Sequence, residues 1–526
     1  MAAAVAAVLY PLADVHAEGI DEPLAVLVIG SRASLATAQD IKRDKLEIVD
    51  SIVAEDIGKL PDFSVTDAIQ RVTGVQVARD RGDGANVAIR GLTQVETTLN
   101  GREIFTAWFG RNLDYADIPA ELLAGIDVYK SSSAQQLEGG VGGLVDLRTR
   151  RPFDFAGPQA VATVREVQGD LANQRKPQYS ALLSNRWKTE DAGEIGILLS
   201  VSQQDRAFRE DQKTVGYWVP RSFGGQPVNV PSGSTESASA GTRKRDGASF
   251  ALQWRPNHDL DLYAEGSYAE LRTIQNTYQF FADTKAAAIG SLALAPGAAD
   301  AQGVGWSNAA ITTAGAARNT IDRIGQFAVG GSWYRRETTV KADLSYTKSH
   351  NNLMYSALAL SGASTGLSQD LAPAVPSSTT SGSSVLSLSS FNNASIWYAS
   401  RPFDGELKAL RLDAERRVGG DYLDSVSTGL RVARRHATDA PGQVSYYPAA
   451  VPAANAAGVV TANPYGDFFP GSTSVRNFVV GDANAARNVD ALRGALGIGA
   501  AIPAGNPLGT WDIREDTDSV YGMATI

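Results

Sequence analysis

The sequence has no cysteine and only 4 histidines. That combination excludes disulfide frameworks, thiolate metal sites and cysteine nucleophiles. It also lacks a basic excess: 48 Lys and Arg stand against 57 Asp and Glu, giving a net charge of −9. Such a balance argues against a nucleic-acid binder, which needs a positive surface. No stretch of about 20 residues reads as a membrane-spanning helix. The uncharged run Leu371–Ser400 is full of Ser, Thr, Asn and Pro, and Ala440–Gly466 is broken by Pro and Gly. If the chain crosses a membrane, it does so as a β-barrel, because only helices and closed barrels satisfy every backbone group in lipid. No nucleophile–base motif, metal-spaced cluster or paired-carboxylate setting stands out, so neither an enzyme nor a resident metal or cofactor is expected. What the sequence does have is length, 526 residues with 43% hydrophobic, together with 51 Gly and 22 Pro. These predict a sizeable core, many turns, long loops and few helices.

The chain divides into segments of different character. Met1–Ala17 is apolar through Leu12 and ends in Val15-His16-Ala17, the small-x-small pattern of a cleaved signal peptide, although the usual basic start is missing. Residues 18–44 read as a tether. Its patch Val26-Leu27-Val28-Ile29-Gly30 is either a buried first strand or a free segment able to pair with another protein's sheet edge. Residues 45–152 read as a small mixed α/β domain. Ser64 and Asp67 suggest a helix cap, Val65, Ile69 and Val72 an apolar helical stripe, and Gly74 its stop. Strands are expected at Val87–Arg90, Val95–Leu99, Arg102–Phe105, Ile126–Lys130 and Leu144–Thr149, with Asn100-Gly101 as a two-residue hairpin turn. Gly82-Asp83-Gly84 invites a nucleotide-loop reading, but Val87 stands where a third glycine belongs and no βαβ unit surrounds it.

From residue 157 to 526 the hydrophobic period becomes two. Ile195, Ile197, Leu199 and Val201 alternate with Gly196, Leu198, Ser200 and Ser202, and the same pattern recurs at 260–267, 340–347 and 426–433. One apolar and one polar face suit strands between lipid and a wet lumen. Short turns near 189–194, 256–259, 334–338 and 418–421 alternate with Gly/Ser/Pro-rich segments near 207–243, 274–320, 353–402 and 437–510. Those segments are read as long outer loops. Trp187, Trp254, Trp333, Tyr334 and Tyr422 fall beside the short turns, as one interfacial girdle requires. About ten strands are expected, the last from Trp511 to Ile526. A barrel that size is too narrow for a plug of roughly 100 residues. The sequence is therefore expected to be the N-terminal portion of a longer protein, its barrel incomplete.

Together these parts resemble the TonB-dependent receptor family. The resemblance is carried by Ala54-Glu55-Asp56-Ile57-Gly58-Lys59-Leu60-Pro61-Asp62, Gln70-Arg71-Val72-Thr73-Gly74-Val75, Ile89-Arg90-Gly91, Leu99-Asn100-Gly101-Arg102, and Gly142-Gly143 before Arg148-Thr149-Arg150-Arg151-Pro152. It implies a plug inside a 22-strand outer-membrane barrel, with about 10 of those strands present here. The wording is most similar to the branch associated with carbohydrate uptake. The implied partners are the inner-membrane TonB energy-transducing complex, outer-membrane lipid and a small-molecule or oligosaccharide substrate. The TonB box would be Val26-Leu27-Val28-Ile29-Gly30, although Leu24, Ala25 and Ile29 depart from the family's usual residues. Arg90, Gly91, Asn100, Gly101, Gly142 and Gly143 are expected to shape the plug, Arg90 by pairing with acidic groups or the barrel wall. Substrate contacts are expected from Trp108, Phe109, Arg111, Asp114 and Tyr115, because rings stack on sugar C–H faces and charged side chains take hydroxyls. Tyr446, Phe468 and Trp306 are among further loop candidates. Ferric siderophores, haem at His350 and His436, and a passive porin or adhesin are the alternatives.

Overall fold

A computed structural model describes residues 37–53, 64–109, 111–381, 385–420, 422–439, 444–503 and 510–526. The signal-like stretch 1–17 and the patch Val26–Gly30 lie outside the described residues, and residues 37–44 form a short helix.

The first domain is built on a five-stranded sheet. Its strands are β1 (Val49–Val53), β4 (Val95–Leu99), β5 (Arg102–Glu103), β6 (Leu123–Tyr129) and β7 (Gly143–Thr149), ordered β1-β6-β7-β4-β5; β2 (Val75–Asp80) and β3 (Asp83–Ile89) make a separate hairpin. Ser64 caps the helix Val65–Ile69, its hydroxyl accepting from the Asp67 N–H at 3.2 Å. That helix seals the sheet with Val65, Ala68 and Ile69, which pack with Ile89, Ile126, Val145 and Leu147 into one core. The β4–β5 turn needs two left-handed residues, and Asn100 (φ 54) and Gly101 (φ 77) supply them.

The second domain is a wall of ten consecutive antiparallel strands: β8 (Gln159–Gly169), β9 (Gln174–Thr189), β10 (Gly193–Val215), β13 (Gly233–Asn257), β14 (Leu260–Asp283), β16 (Ala301–Arg335), β17 (Thr338–Asp370), β19 (Asn393–Arg417), β20 (Ser425–Asp439) and β25 (Trp511–Thr525). The remaining strands are short: β11 (Trp218–Phe223) with β12 (Gln226–Pro231), and β15 (Ala288–Leu294), β18 (Ser377–Ser381), β21 (Val444–Tyr446) and β22 (Val451–Pro452) added to the wall's outer margin. A final pair, β23 (Val460–Ala462) and β24 (Val479–Gly481), lies in the segment after β20. The wall is not closed: β8 and β25 are its two edges. Ile197, Leu199, Val201, Phe250, Leu252, Val329 and Leu344 are exposed on one face, while Ser200, Ser202, Gln204, Glu265 and Thr347 are buried on the other. No second sheet covers the aliphatic rows among the described residues, so this is a barrel wall rather than a sandwich. Trp187, Trp254, Trp333 and Tyr334 are exposed beside the short turns.

The segments read as long loops are, in large part, not loops. β16 runs 35 residues and β17 runs 33, carrying the ladder far beyond the apolar band. Backbone pairing continues there because small residues such as Ala, Ser, Gly and Thr tolerate the pleat on either face. Above the plug, the segment 444–498 folds against the inward face of these extensions. Leu492 and Leu496, from the helix Val489–Leu496, and Phe478 and Val480 join Phe280, Trp306, Ile311, Leu358 and Ile396 in a second core. Tyr446, Phe468 and Trp306 are consequently buried, at 4%, 3% and 3% exposure, and are packing residues rather than open ligand contacts.

Candidate functional site

Charge holds the plug to the wall. Arg102, 8% exposed, reaches Glu265 and donates to Asp343 at 2.6 Å, while Arg151 donates to the second oxygen of Glu265 at 2.9 Å. Glu103 accepts from Arg435 at 2.7 Å and Arg431 at 3.2 Å, and Asp83 accepts from Arg243 at 2.7 Å and Arg206 at 3.2 Å. The Asn100 side-chain amide adds a hydrogen bond, donating to Glu265 at 3.1 Å. Asp83 fixes the outer turn Asp80–Asp83 against the wall, and at Ala107–Asp114 the Ala107 N–H donates to the Ser349 hydroxyl at 2.8 Å.

Between those turns and the wall lies a cavity of about 420 Å³, within the roughly 300–1,000 Å³ typical of small-molecule sites. Its plug side carries Asp80, Arg81, Trp108 and Asp114. Its wall side follows two neighbouring rows across the ladder. One row pairs Arg243 with Thr273, Thr273 with Thr320, Thr320 with Leu353 and Leu353 with Arg401. The other pairs Asp322 with Asn351, Asn351 with Phe403, Phe403 with Asp439 and Asp439 with Trp511. Three rings, Trp108, Phe403 and Trp511, thus meet carboxylates, an amide and guanidiniums in one space. The Trp108 indole hydrogen-bonds Asp322, which also accepts from Asn351. Asp114 caps the turn Tyr115–Asp117 by accepting from the Ala116 N–H at 3.0 Å; burial nonetheless pushes its carboxyl up to about 6. Asp117 beneath it is driven further up, first by burial and then by Asp322 and Asp114.

Residues 41–144 match the family model described as the TonB-dependent Receptor Plug Domain, and the wall wraps that domain. The first domain is a TonB-dependent receptor plug domain. Solved structures similar in fold include the unliganded ferric citrate transporter FecA (12% identity, 76% of this chain and 75% of that one, TM-score 0.29). A ferric enterobactin receptor PfeA mutant from Pseudomonas aeruginosa is similar at 12% identity, 77% and 74% coverage and a TM-score of 0.34. The Serratia marcescens hemophore receptor HasR is similar at 11% identity, 81% and 75% coverage and a TM-score of 0.28. No curated protein matches in sequence. No helix among the described residues is long and apolar enough to cross a membrane, which says nothing of strands.

The receptor does not bring all five predicted substrate residues together. Trp108 (41% exposed) and Asp114 share the cavity. Arg111 turns instead toward β25, where it pairs with Glu515 in a different cavity of about 640 Å³ between the plug segment 134–139 and β20. Tyr115 is a correction: it is 3% exposed, sits in the plug core and shares a hydrogen bond with Thr97 at 2.7 Å. Successive 3₁₀ turns send adjacent side chains in different directions, so proximity in sequence misled here. The backbone of Phe109 closes the 3₁₀ turn Ala107–Phe109; its side chain lies outside the described residues.

Arg90 is a second correction. Its guanidinium donates to the Lys130 carbonyl at 3.2 Å inside the plug rather than to an acid or the wall. Arg90 and Gly91 both have positive φ (52 and 81), making a left-handed turn after β3. At Gly142, a Cβ would come 3.0 Å from the Leu92 carbonyl, and at Gly143 (φ 144) 2.5 Å from the Tyr129 carbonyl. The missed residues, Arg243, Arg318, Asp322, Asn351 and Arg401, come from four wall strands. Their one sequence signal is that inward positions in the same part of each strand carry arginine, Asp and Asn instead of Ser, Ala and Gly. His350 and His436 hydrogen-bond Asp404 and Asp512 at 2.8 and 2.9 Å, which makes them poor free axial ligands.

Proposed function

We propose that this receptor imports an oligosaccharide across the outer membrane, energised through the segment Val26–Gly30. The observation that carries the reading is the union of three rings with hydrogen-bonding side chains around one cavity, because rings cover sugar C–H faces while carboxylates and amides take hydroxyls. A ferric chelate is the second reading, favoured by the four arginines Arg81, Arg243, Arg318 and Arg401 in the lining. Binding of the purified protein to a panel of oligosaccharides and ferric chelates separates them. Under the first reading Trp108→Ala weakens sugar binding about 3- to 10-fold, equivalent to a stacking contribution of about 0.5–1.5 kcal/mol. Unchanged sugar affinity removes Trp108 from the site, and selective ferric-chelate binding replaces the reading.

A further inference from the structure

Four arginines line the cavity, and three of them are already committed. Arg243 pairs with Asp83 at 2.7 Å, Arg401 with Asp439 at 2.8 Å, and Arg81 with Asp80 and the Gln275 amide. Arg318, on β16, forms no salt bridge or side-chain hydrogen bond among the described residues, and its buried Nε has no partner. The larger cavity near β25 offers a contrast. There Arg411, Arg431, Arg435 and Arg111 all hold carboxylates of the protein itself. Asp322 acts on Arg318 only through space, and a half-buried guanidinium whose Nε lacks an acceptor is costly unless something else supplies one. We propose that Arg318 is the anchor for a carboxylate carried by the ligand, so that the imported oligosaccharide is acidic, containing hexuronate units; this rests on the oligosaccharide reading above.

Arg318 offers a planar fork matched to a carboxylate, whose two oxygens can accept parallel N–H bonds. The surroundings select a single rather than a double negative charge. Asp322 and Asp114 share the cavity, and a phosphomonoester would face both, whereas one carboxylate needs only the one guanidinium without an acceptor. Trp108 and Trp511 lie in the same cavity to cover the sugar ring that bears the carboxylate.

Tryptophan fluorescence titration of the full chain in detergent tests this with three ligands: a neutral oligosaccharide bearing one terminal glucuronate, its methyl ester, and ferric citrate. The ester keeps the shape and removes the charge. The expected result is that esterification weakens binding about 10- to 100-fold, as for loss of a charged hydrogen-bonded pair. Arg318→Gln should weaken the acid by a similar factor and leave the ester unchanged. Arg318→Lys, which keeps charge but loses the fork, should fall between. Equal binding of acid and ester by the unaltered protein overturns the proposal whatever the variants do, and leaves the oligosaccharide reading standing. Binding of ferric citrate with neither sugar overturns both.

Discussion

At the scale of single residues, the plug carries carboxyls whose protonation follows from where the fold puts them. Glu96 on β4 is 5% exposed, and its Oε1 has no hydrogen-bond partner. Burial, reinforced by Glu103, pushes its carboxyl up from 4.5 to about 8, against the smaller opposing pull of Arg111, Arg435 and Arg431. The folded chain therefore holds a proton that the unfolded chain releases. This group's contribution to stability is full below about pH 4.5 and is lost as pH rises toward 8. Glu96→Gln is expected to melt with the unaltered protein near pH 4 and at a higher temperature near pH 9. A melting difference that stays constant across that range would remove Glu96 as its source. Nothing in the sequence marks this residue, since an acidic position in an alternating strand normally faces water.

Elements were legible where a strong local rule applied. The helix after Ser64, the strand Val95–Leu99 and the turn at Asn100-Gly101 lie where capping and hairpin chemistry put them. The hairpin strand Val75–Asp80 was not legible, because it is short, ends in charges and is exposed along most of its length. The upward extensions of β16 and β17 were missed for another reason. Runs such as Ala314–Ala317 and Ser361–Gly366 lack the contrast between faces that identifies a strand, and only pairing with neighbours reveals them. At the start of β7, Gly143 combines φ 144 with a close approach to the Tyr129 carbonyl. Gly143→Ala is expected to destabilise the plug by about 1–3 kcal/mol, read as a lower melting temperature and faster proteolysis between β6 and β7. An unchanged melt would mean that the β6–β7 crossing can relax at no cost.

For the whole molecule, the alternation of short turns with long excursions was enough to place the wall. The candidate site was legible only in part: Trp108 and Asp114 could be named, but their partners come from strands far apart in sequence. Only the register of the wall brings Arg243, Arg318, Asp322 and Arg401, on three successive inward rows, around one cavity. The proposed import is tested at this scale as well. Deleting Val26–Ile29 is expected to abolish uptake by cells expressing the receptor while ligand binding is retained. Continued uptake would point to a passive pore.

The plug meets its wall through Arg102, Arg151, Glu103 and Asp83 and their opposite charges, with apolar contacts at Phe105 and where Ala269 and Ile324 join the plug core. A seam of that kind responds to tension differently from a greasy one. Each broken pair can be hydrated as it parts, so the barrier is spread over many small steps instead of one large exposure of oil to water. The domain can therefore yield to a modest pull at one end and seat itself again once the pull stops, while staying firmly lodged at rest.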